Sequence, residues 1–320
     1  MKIEGPLKAL KTEQRNPRTR GLDAKSTLDI LRALNREDAT VALAVRRELP
    51  AIARAVDEIV DSLRRGGRLF YIGAGTSGRL AVLDAAEVPP TFGTSPKLVQ
   101  ALIAGGTKAL RRAVEGAEDS ISNGGRDLRK AGLKNGDVVV GISASGSAPY
   151  VLGALKAAKD AGAQTVGITS NSNSPLARLA GIAITPNTGQ EAIAGSTRMK
   201  AGTSQKMVLN LLSTTAMVRL GRVYENWMIY LTLTNQKLTK RAARIVEDAA
   251  GVNASTAAHA LRKTRHDLPV AIVMLKTGSD AEAARRLLGK SHGNARVAIA
   301  AHERMKQKAL SKRGTGKRGQ

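Results

Sequence analysis

Arg68-Leu-Phe-Tyr-Ile-Gly73-Ala-Gly75-Thr76-Ser77-Gly78 joins an apolar run of strand length to a glycine-rich turn. Runs of the same kind recur at Leu98–Ala104, Val138–Ser143, Thr165–Thr169 and Ile182–Thr185, with helix-length segments between most of them. Short, continuously apolar strands alternating with helices predict an α/β fold: a parallel sheet with helices flanking both faces. In such folds ligands sit beyond the carboxyl ends of the strands, where the turn after Gly73 falls. Upstream, apolar residues follow helical spacing at Leu28, Ile30, Leu31 and Leu34, then at Val41, Leu43 and Ala44, and again from Ile52 to Leu63. Pro50 is expected to mark the break between two of these helices, and Gly66-Gly67 to end the second.

Around this centre the chain divides by composition. Residues 1–24, polar and basic, predict an irregular arm; 25–246 hold the sheet and its flanking helices. Beyond Ser196 a long helical stretch passes Met199, Met207, Leu211 and Met217. An internal repeat follows: Gly251-Val-Asn-Ala254, Leu261, Lys263 and Val270-Ala-Ile272 match Gly278-Ser-Asp-Ala281, Leu288, Lys290 and Val297-Ala-Ile299 at one constant offset. Self-similarity of this size marks a small helical module, placed at 247–302. Residues 303–320, rich in Lys, Arg and Gly, predict a disordered tail.

The 320 residues are 42% hydrophobic and 24% charged, enough for a sizeable core. No cysteine is present, which removes disulfides, thiolate-bound metals and thiol catalysis. No apolar run spans a bilayer, and the first residues carry no signal core, so a cytoplasmic protein without membrane contact is expected. The net charge of +25 raises the question of nucleic acid. With only seven aromatic residues (2 Phe, 4 Tyr, 1 Trp), and none in the basic ends, stacking platforms are lacking. Nucleic acid is expected at most as a non-specific partner of the tail.

Gly73-Ala-Gly75-Thr76-Ser77-Gly78 fits G-x-G-x-x-G, but a dinucleotide site also needs a carboxylate after the second strand. That strand ends Ile103-Ala-Gly-Gly106. Thr76 and Ser77 suit a phosphate monoester held by hydroxyls and helix-start N–H groups instead. A second hydroxyl loop, Ser143-Ala-Ser145-Gly146-Ser147-Ala-Pro149, follows the third strand. Together they predict a phosphate cradle; the plainer alternative is two strand-to-helix turns with capping hydroxyls.

Longer motifs carry a family resemblance. Gly73-Ala-Gly-Thr-Ser-Gly-Arg-Leu-Ala-Val-Leu-Asp-Ala-Ala-Glu87-Val-Pro-Pro-Thr-Phe-Gly93, Ala113-Val-Glu-Gly-Ala-Glu118-Asp119 and Gly195-Ser-Thr-Arg-Met-Lys-Ala-Gly-Thr-Ser-Gln-Lys206 resemble the signatures of the N-acetylmuramic acid 6-phosphate etherases. The arm Thr12-Glu-Gln-Arg-Asn-Pro-Arg18 fits as well, so the likeness spans all but the basic tail. It implies a sugar isomerase (SIS) domain, a homodimer and a small C-terminal helical subdomain. It also implies a lyase of bacterial peptidoglycan recycling, one that converts N-acetylmuramic acid 6-phosphate to N-acetylglucosamine 6-phosphate and D-lactate. Residues implied at the sugar phosphate are Gly75, Thr76, Ser77, Ser143, Ser145, Gly146, Ser147, Glu191 and Ser196.

Such chemistry starts from the open-chain aldehyde, whose C2 proton is acidic. A base takes that proton, an acid protonates the departing lactate oxygen at C3, and water then adds to the unsaturated aldehyde. Groups that work both ways near neutral pH suffice, with no metal and no cofactor. All four histidines fall after residue 250, which turns attention to carboxylates. The resemblance aligns Glu87 with the family's proton donor and Glu118 with its second active-site glutamate. Glu87 is expected at a rigid corner where a helix meets Pro89-Pro90, facing the first loop. Ser196 or Thr197 is expected to cap the long helix, with Arg198 and Lys200 adding positive potential or facing solvent.

Two departures bear on affinity. Ser147 and Ala148 stand where the family carries an arginine and a threonine, and Tyr230 stands where it carries an acidic residue. A lost charge-assisted bond to phosphate weakens binding by about 1.5–3 kcal/mol. Two other functions share this fold. A non-catalytic sugar-phosphate sensor, like the glucokinase regulatory proteins, needs two sets of loops in a longer chain and does not need the glutamate pair. An aldose–ketose isomerase shares the C2 chemistry but lacks the Glu87-Val-Pro-Pro motif.

Overall fold

The computed structural model describes residues 11–231 and 236–315. It parts into two compact units, one of residues 1–88 with 95–216 and one of 89–94 with 217–320.

The first unit is built on five strands: β1 (Leu69–Gly73), β2 (Val99–Ile103), β3 (Val138–Ile142), β4 (Gln164–Ile168) and β5 (Ile182–Ile184). All pair in parallel, in the order β2-β1-β3-β4-β5. β1 and β3, in the interior of the sheet, are buried at every position, which is why both read as unbroken apolar runs. The chain leaves β1 for β2 on one side and returns to β3 on the other, so strand order reverses between β1 and β3. Register pairs Gly73 with Ile142. The glycine-rich loop and the serine-rich loop therefore leave the sheet side by side at this reversal.

Three helices precede the sheet: α1 (Thr27–Asp38), α2 (Val41–Arg47) and α3 (Leu49–Arg64). The expected face of α3 is the buried one, with Ile52, Ala55, Val56, Ile59, Val60 and Leu63 turned inward. Pro50 marks the break between α2 and α3 as expected, lying in the first turn of α3, where its missing N–H costs nothing. α4 (Gly75–Phe92) follows β1, α5 (Ile121–Lys130) precedes β3, α6 (Pro149–Asp160) follows it, and α7 (Pro175–Leu179) follows β4. The turn into α4 is tight enough to demand glycine twice. A Cβ on Gly73 would lie 2.7 Å from the Gly78 nitrogen, and one on Gly78 would lie 2.8 Å from the Gly73 oxygen.

α8 (Lys200–Arg219) leads from the first unit into the second. The second unit holds a hairpin of β6 (Val223–Tyr224) and β7 (Trp227–Met228), then α9 (Gln236–Ala250), α10 (Ala254–Lys263), α11 (Leu268–Thr277), α12 (Ala281–Lys290) and α13 (Ala295–Thr315). α9 shares one apolar core with the helices after it, through Ala242, Ile245, Val246 and Ala249. The compact unit thus takes in segments before residue 247. The sequence repeat is a repeated helix pair, α10–α11 against α12–α13. Asn253 and Asp280 cap α10 and α12 with their side chains. His266 N donates to Leu261 O at 2.7 Å, and Gly293 N, one repeat on, donates to Leu288 O at 2.8 Å.

The tail differs from expectation: α13 continues to Thr315, so the segment read as disordered is helical up to that residue. Only 316–320 of it lie outside the described residues, as do 1–10 of the arm. A composition rich in alanine, lysine and arginine favours helix once Ala298 and Ile299 anchor its start in the core. Among the described residues no helix is long and apolar enough to cross a membrane.

Candidate functional site

The turn after β1 opens α4 at Gly75, so the N–H groups of Gly75, Thr76 and Ser77 belong to the unpaired first turn of a helix. Such N–H groups, aligned with the helix dipole, favour an anion. Gly75 is exposed and has φ of 52°, a left-handed conformation. Thr76 is half-buried, and a Cβ on Gly202 of α8 would lie 3.4 Å from its methyl. Ser77 is buried, and its hydroxyl donates to Gln205 Oε1 at 2.9 Å.

Beside it, the serine loop is a chain of hydroxyls. Ser143 Oγ lies 3.4 Å from Ser145 Oγ, which lies 2.8 Å from Ser147 Oγ. Ser143 Oγ also accepts from Gly146 N at 3.1 Å, and Ser145 Oγ from Ser147 N at 3.2 Å. From the β4–α7 turn, Thr169 and Asn171 take up the loop's carbonyls: each donates to Ala144 O at 3.2 Å, and Asn171 also to Ser145 O at 3.2 Å. Gly146, at φ of 72°, packs where any side chain would strike Ser174. The loop is thereby fixed from behind, and its hydroxyl chain has one proton to spare for an acceptor-only ligand such as phosphate.

Glu118 lies in the exposed turn before α5, and its carbonyl accepts from Tyr150 N, in the first turn of α6, at 2.9 Å. That bond ties Glu118 to the helix that follows the serine loop. It also stands in for a missing cap, because Ala148 at the N-cap offers α6 no side-chain bond. A threonine there would supply one worth about 1 kcal/mol.

Four expectations are corrected. Glu87 does not stand at a corner: α4 runs on through Pro89 and Pro90 to Phe92, with Gly93 N bonding to Pro89 O at 2.9 Å. Glu87 is exposed on this helix, about 18 Å along the axis from Gly75 at about 1.5 Å per residue, too far to face its own first loop. Neither Ser196 nor Thr197 caps α8. Glu191, fully buried, does so with both oxygens, accepting from Lys200 N and Ala201 N at 2.9 Å each. Burial pushes the Glu191 carboxyl up against the pull of those two amides. Each oxygen of the carboxylate read as a sugar ligand thus accepts one N–H of the helix start. Ser196, half-buried, lies in the turn between, with its carbonyl accepting from Met199 N at 3.2 Å. Lys200, finally, lends no potential to a phosphate, being fully buried with Nζ 2.7 Å from Glu37 Oε2.

Glu37 is a residue that sequence reasoning missed. It also receives Arg18 Nε at 2.5 Å and Asn16 Nδ2 at 2.8 Å, and the charged Arg18 and Lys200, with the Asn16 amide, hold its carboxyl down at about 2. The arm 12–19 so clasps the loop that ends at α8, with Thr19 Oγ1 on Ala192 O at 2.8 Å and Thr12 O on Gly195 N at 3.0 Å. Gln205 was missed too, although it falls inside a motif that carries the resemblance. Tyr230, the second departure, lies in the second unit, its hydroxyl on Gly293 O at 2.6 Å and its ring 4.7 Å from the Arg222 guanidinium. All four histidines also lie in that unit.

Known proteins match this architecture. Residues 51–159 match the glucokinase regulatory protein N-terminal SIS domain family, and residues 122–215 match the SIS domain family. N-acetylmuramic acid 6-phosphate etherase 1 of Bacillus licheniformis is 51% identical, over 93% of this chain and 98% of its own. The N-acetylmuramic acid 6-phosphate etherase of Yersinia pestis is 54% identical, over 92% of this chain and 99% of its own. The chain belongs to the N-acetylmuramic acid 6-phosphate etherase family. A solved phosphoheptose isomerase from Francisella tularensis is similar over 61% of this chain and all of its own, at 18% identity and a TM-score of 0.47. With etherases alike over nearly the full length of both chains, the etherase reading prevails over the isomerase and sensor alternatives.

Proposed function

We propose that this chain cleaves the D-lactyl ether of N-acetylmuramic acid 6-phosphate in the cytoplasm, by elimination followed by addition of water, with Glu87 and Glu118 as the acid and base. The phosphate sits on the N–H groups and hydroxyls of the two loops, which fixes the open-chain sugar with C2 and C3 between carboxylates. Removal of the C2 proton and protonation of the C3 oxygen release D-lactate and leave an unsaturated aldehyde. Water adds at C3, C2 regains a proton, and N-acetylglucosamine 6-phosphate leaves; atoms balance with water alone. No metal or cofactor takes part in this sequence.

The observation that carries the reading is the side-by-side exit of the two loops at the reversal of strand order, with Glu118 tied to the helix after the second. Glu87, remote from the head of its own helix, suits a homodimer in which it serves the partner's sugar. Leu83 stands exposed one turn before it on the same stripe of α4, and Leu110, Val114 and Ile121 are exposed as well. Apolar side chains of this size are what a second copy would cover.

Lactate release from N-acetylmuramic acid 6-phosphate by the purified protein is the test. Wild type is expected to release it, and Glu87→Gln and Glu118→Gln to lose at least about a hundredfold in kcat while still binding the sugar phosphate. A wild type that binds but releases nothing would make the chain a sensor.

A further inference from the structure

Gln205 is 1% exposed, on the second turn of α8, and its Oε1 accepts the Ser77 proton at 2.9 Å. Its Nε2 is buried with no hydrogen-bond partner. The arrangement has two chemical consequences. A hydroxyl has one proton, so a Ser77 that donates to Gln205 offers only lone pairs toward the loop, and phosphate, which at neutral pH offers mainly acceptors, finds no donor there. The carboxamide meanwhile keeps a buried donor idle, a rarer and more costly state than an idle carbonyl. A half-turn about the Cγ–Cδ bond removes both conflicts. Nε2 then donates to Ser77 Oγ, and the Ser77 proton is released toward the loop.

We propose that Gln205 is a positioning residue that turns Ser77 into a phosphate donor, its carboxamide rotating when the sugar phosphate binds. The proposal rests on the reading of the first loop as a phosphate site. The backbone of this part of α8 is not free to adjust instead. Glu191 holds its first turn at the Lys200 and Ala201 amides, and Gly202 is packed against Thr76. Rotation of the terminal amide is the freedom left. A glutamine is also the side chain suited to the task, since it presents a donor and an acceptor at one end in interchangeable places. A carboxylate there would accept only and would hold the Ser77 proton permanently away from the ligand.

KM for N-acetylmuramic acid 6-phosphate, kcat, and competitive inhibition by inorganic phosphate are measured for Ser77→Ala, Gln205→Glu and the double variant. Ser77→Ala and Gln205→Glu are each expected to raise KM and the phosphate inhibition constant about tenfold or more, with little change in kcat. The double variant is expected to be no worse than Ser77→Ala, because Gln205 acts only through that hydroxyl. The defect of Gln205→Glu is expected to shrink as pH falls, since protonation of the introduced carboxyl restores a donor, and a merely structural role would show no such recovery. If Ser77→Ala raises KM but Gln205→Glu does not, or if its defect is independent of pH, the proposal fails and the phosphate site stands. If Ser77→Ala leaves KM unchanged, the phosphate site itself fails and the proposal with it. Should Gln205→Glu not fold, Gln205→Met in the same cycle decides. Effects that simply multiply with those of Ser77→Ala overturn the proposal, and effects that vanish in the Ser77→Ala background support it.

Discussion

Glu37 and Lys200 show what a buried charge does when it serves position rather than chemistry. Both are almost wholly buried, and removing two charges from water is tolerable only because Arg18, Asn16 and Lys200 together satisfy the carboxylate. The pair joins the arm, α1 and the first residue of α8, three segments distant in sequence. Its sign of pH dependence follows from the donors. Glu37 ionises at about 2 in the folded chain against an ordinary 4.5, so it stabilises the fold fully above 4.5 and loses that contribution as pH falls toward 2. Thermal unfolding followed from pH 7 downward is therefore expected to show a steeper acid loss in wild type than in Glu37→Gln, which starts less stable at pH 7 by about 3–5 kcal/mol because Lys200 is left buried without its counter-charge. Equal slopes would mean that the carboxylate is not held by these donors. Nothing in the local sequence announces this cluster. Glutamate in α1 and lysine in a Lys-rich chain look like solvated residues, and only the fold brings them together.

Among elements, the strands and the repeat were legible and the helix ends were not. Five apolar runs in the sequence are the five strands of the sheet, because a buried parallel strand needs apolar side chains on both faces and so writes its own boundaries. Pro89-Pro90 misled for a physical reason. A proline deprives the preceding turn of a bond but does not prevent its own carbonyl from accepting one, as Pro89 O does from Gly93, so the pair sits in the last turns of α4 rather than after them. The cap of α8 was hidden because it comes from Glu191, nine residues before the helix starts. The repeat offers a cleaner test of element-level reasoning. His266, exposed at φ of 62°, occupies the left-handed place that Gly293 fills at φ of 82° one repeat later, each closing the same helix-ending bond. A side chain in that conformation is strained where glycine is not. His266→Gly is expected to stabilise the second unit by about 0.5–1 kcal/mol, read as a raised midpoint in chemical denaturation, and a lowered midpoint would show that the histidine has a role beyond the turn.

For the whole molecule the proposed function turns on which chain supplies each glutamate. Both were legible only through the family motifs, since exposed carboxylates on a helix and in a turn carry no signal of their own. Their placement then argues in opposite directions. Glu118 is bonded to the first turn of α6, beside the serine loop, whereas Glu87 stands about 18 Å along α4 from the glycine loop of its own chain. A sugar phosphate held on the loops does not span that length, which supports the proposal that Glu87 serves a sugar held by another copy. In the proposed twofold dimer the two sites are equivalent, and each would take Glu118 from one chain and Glu87 from the other. Co-expression of Glu87→Gln with Glu118→Gln gives the decisive comparison. Each variant alone lacks one carboxylate in every site. In the mixed dimer one site receives both substitutions and its twin receives neither, so random pairing restores about a quarter of wild-type lactate release. Were both glutamates to act from one chain, every site of the mixed dimer would still lack one of them, and no activity would return.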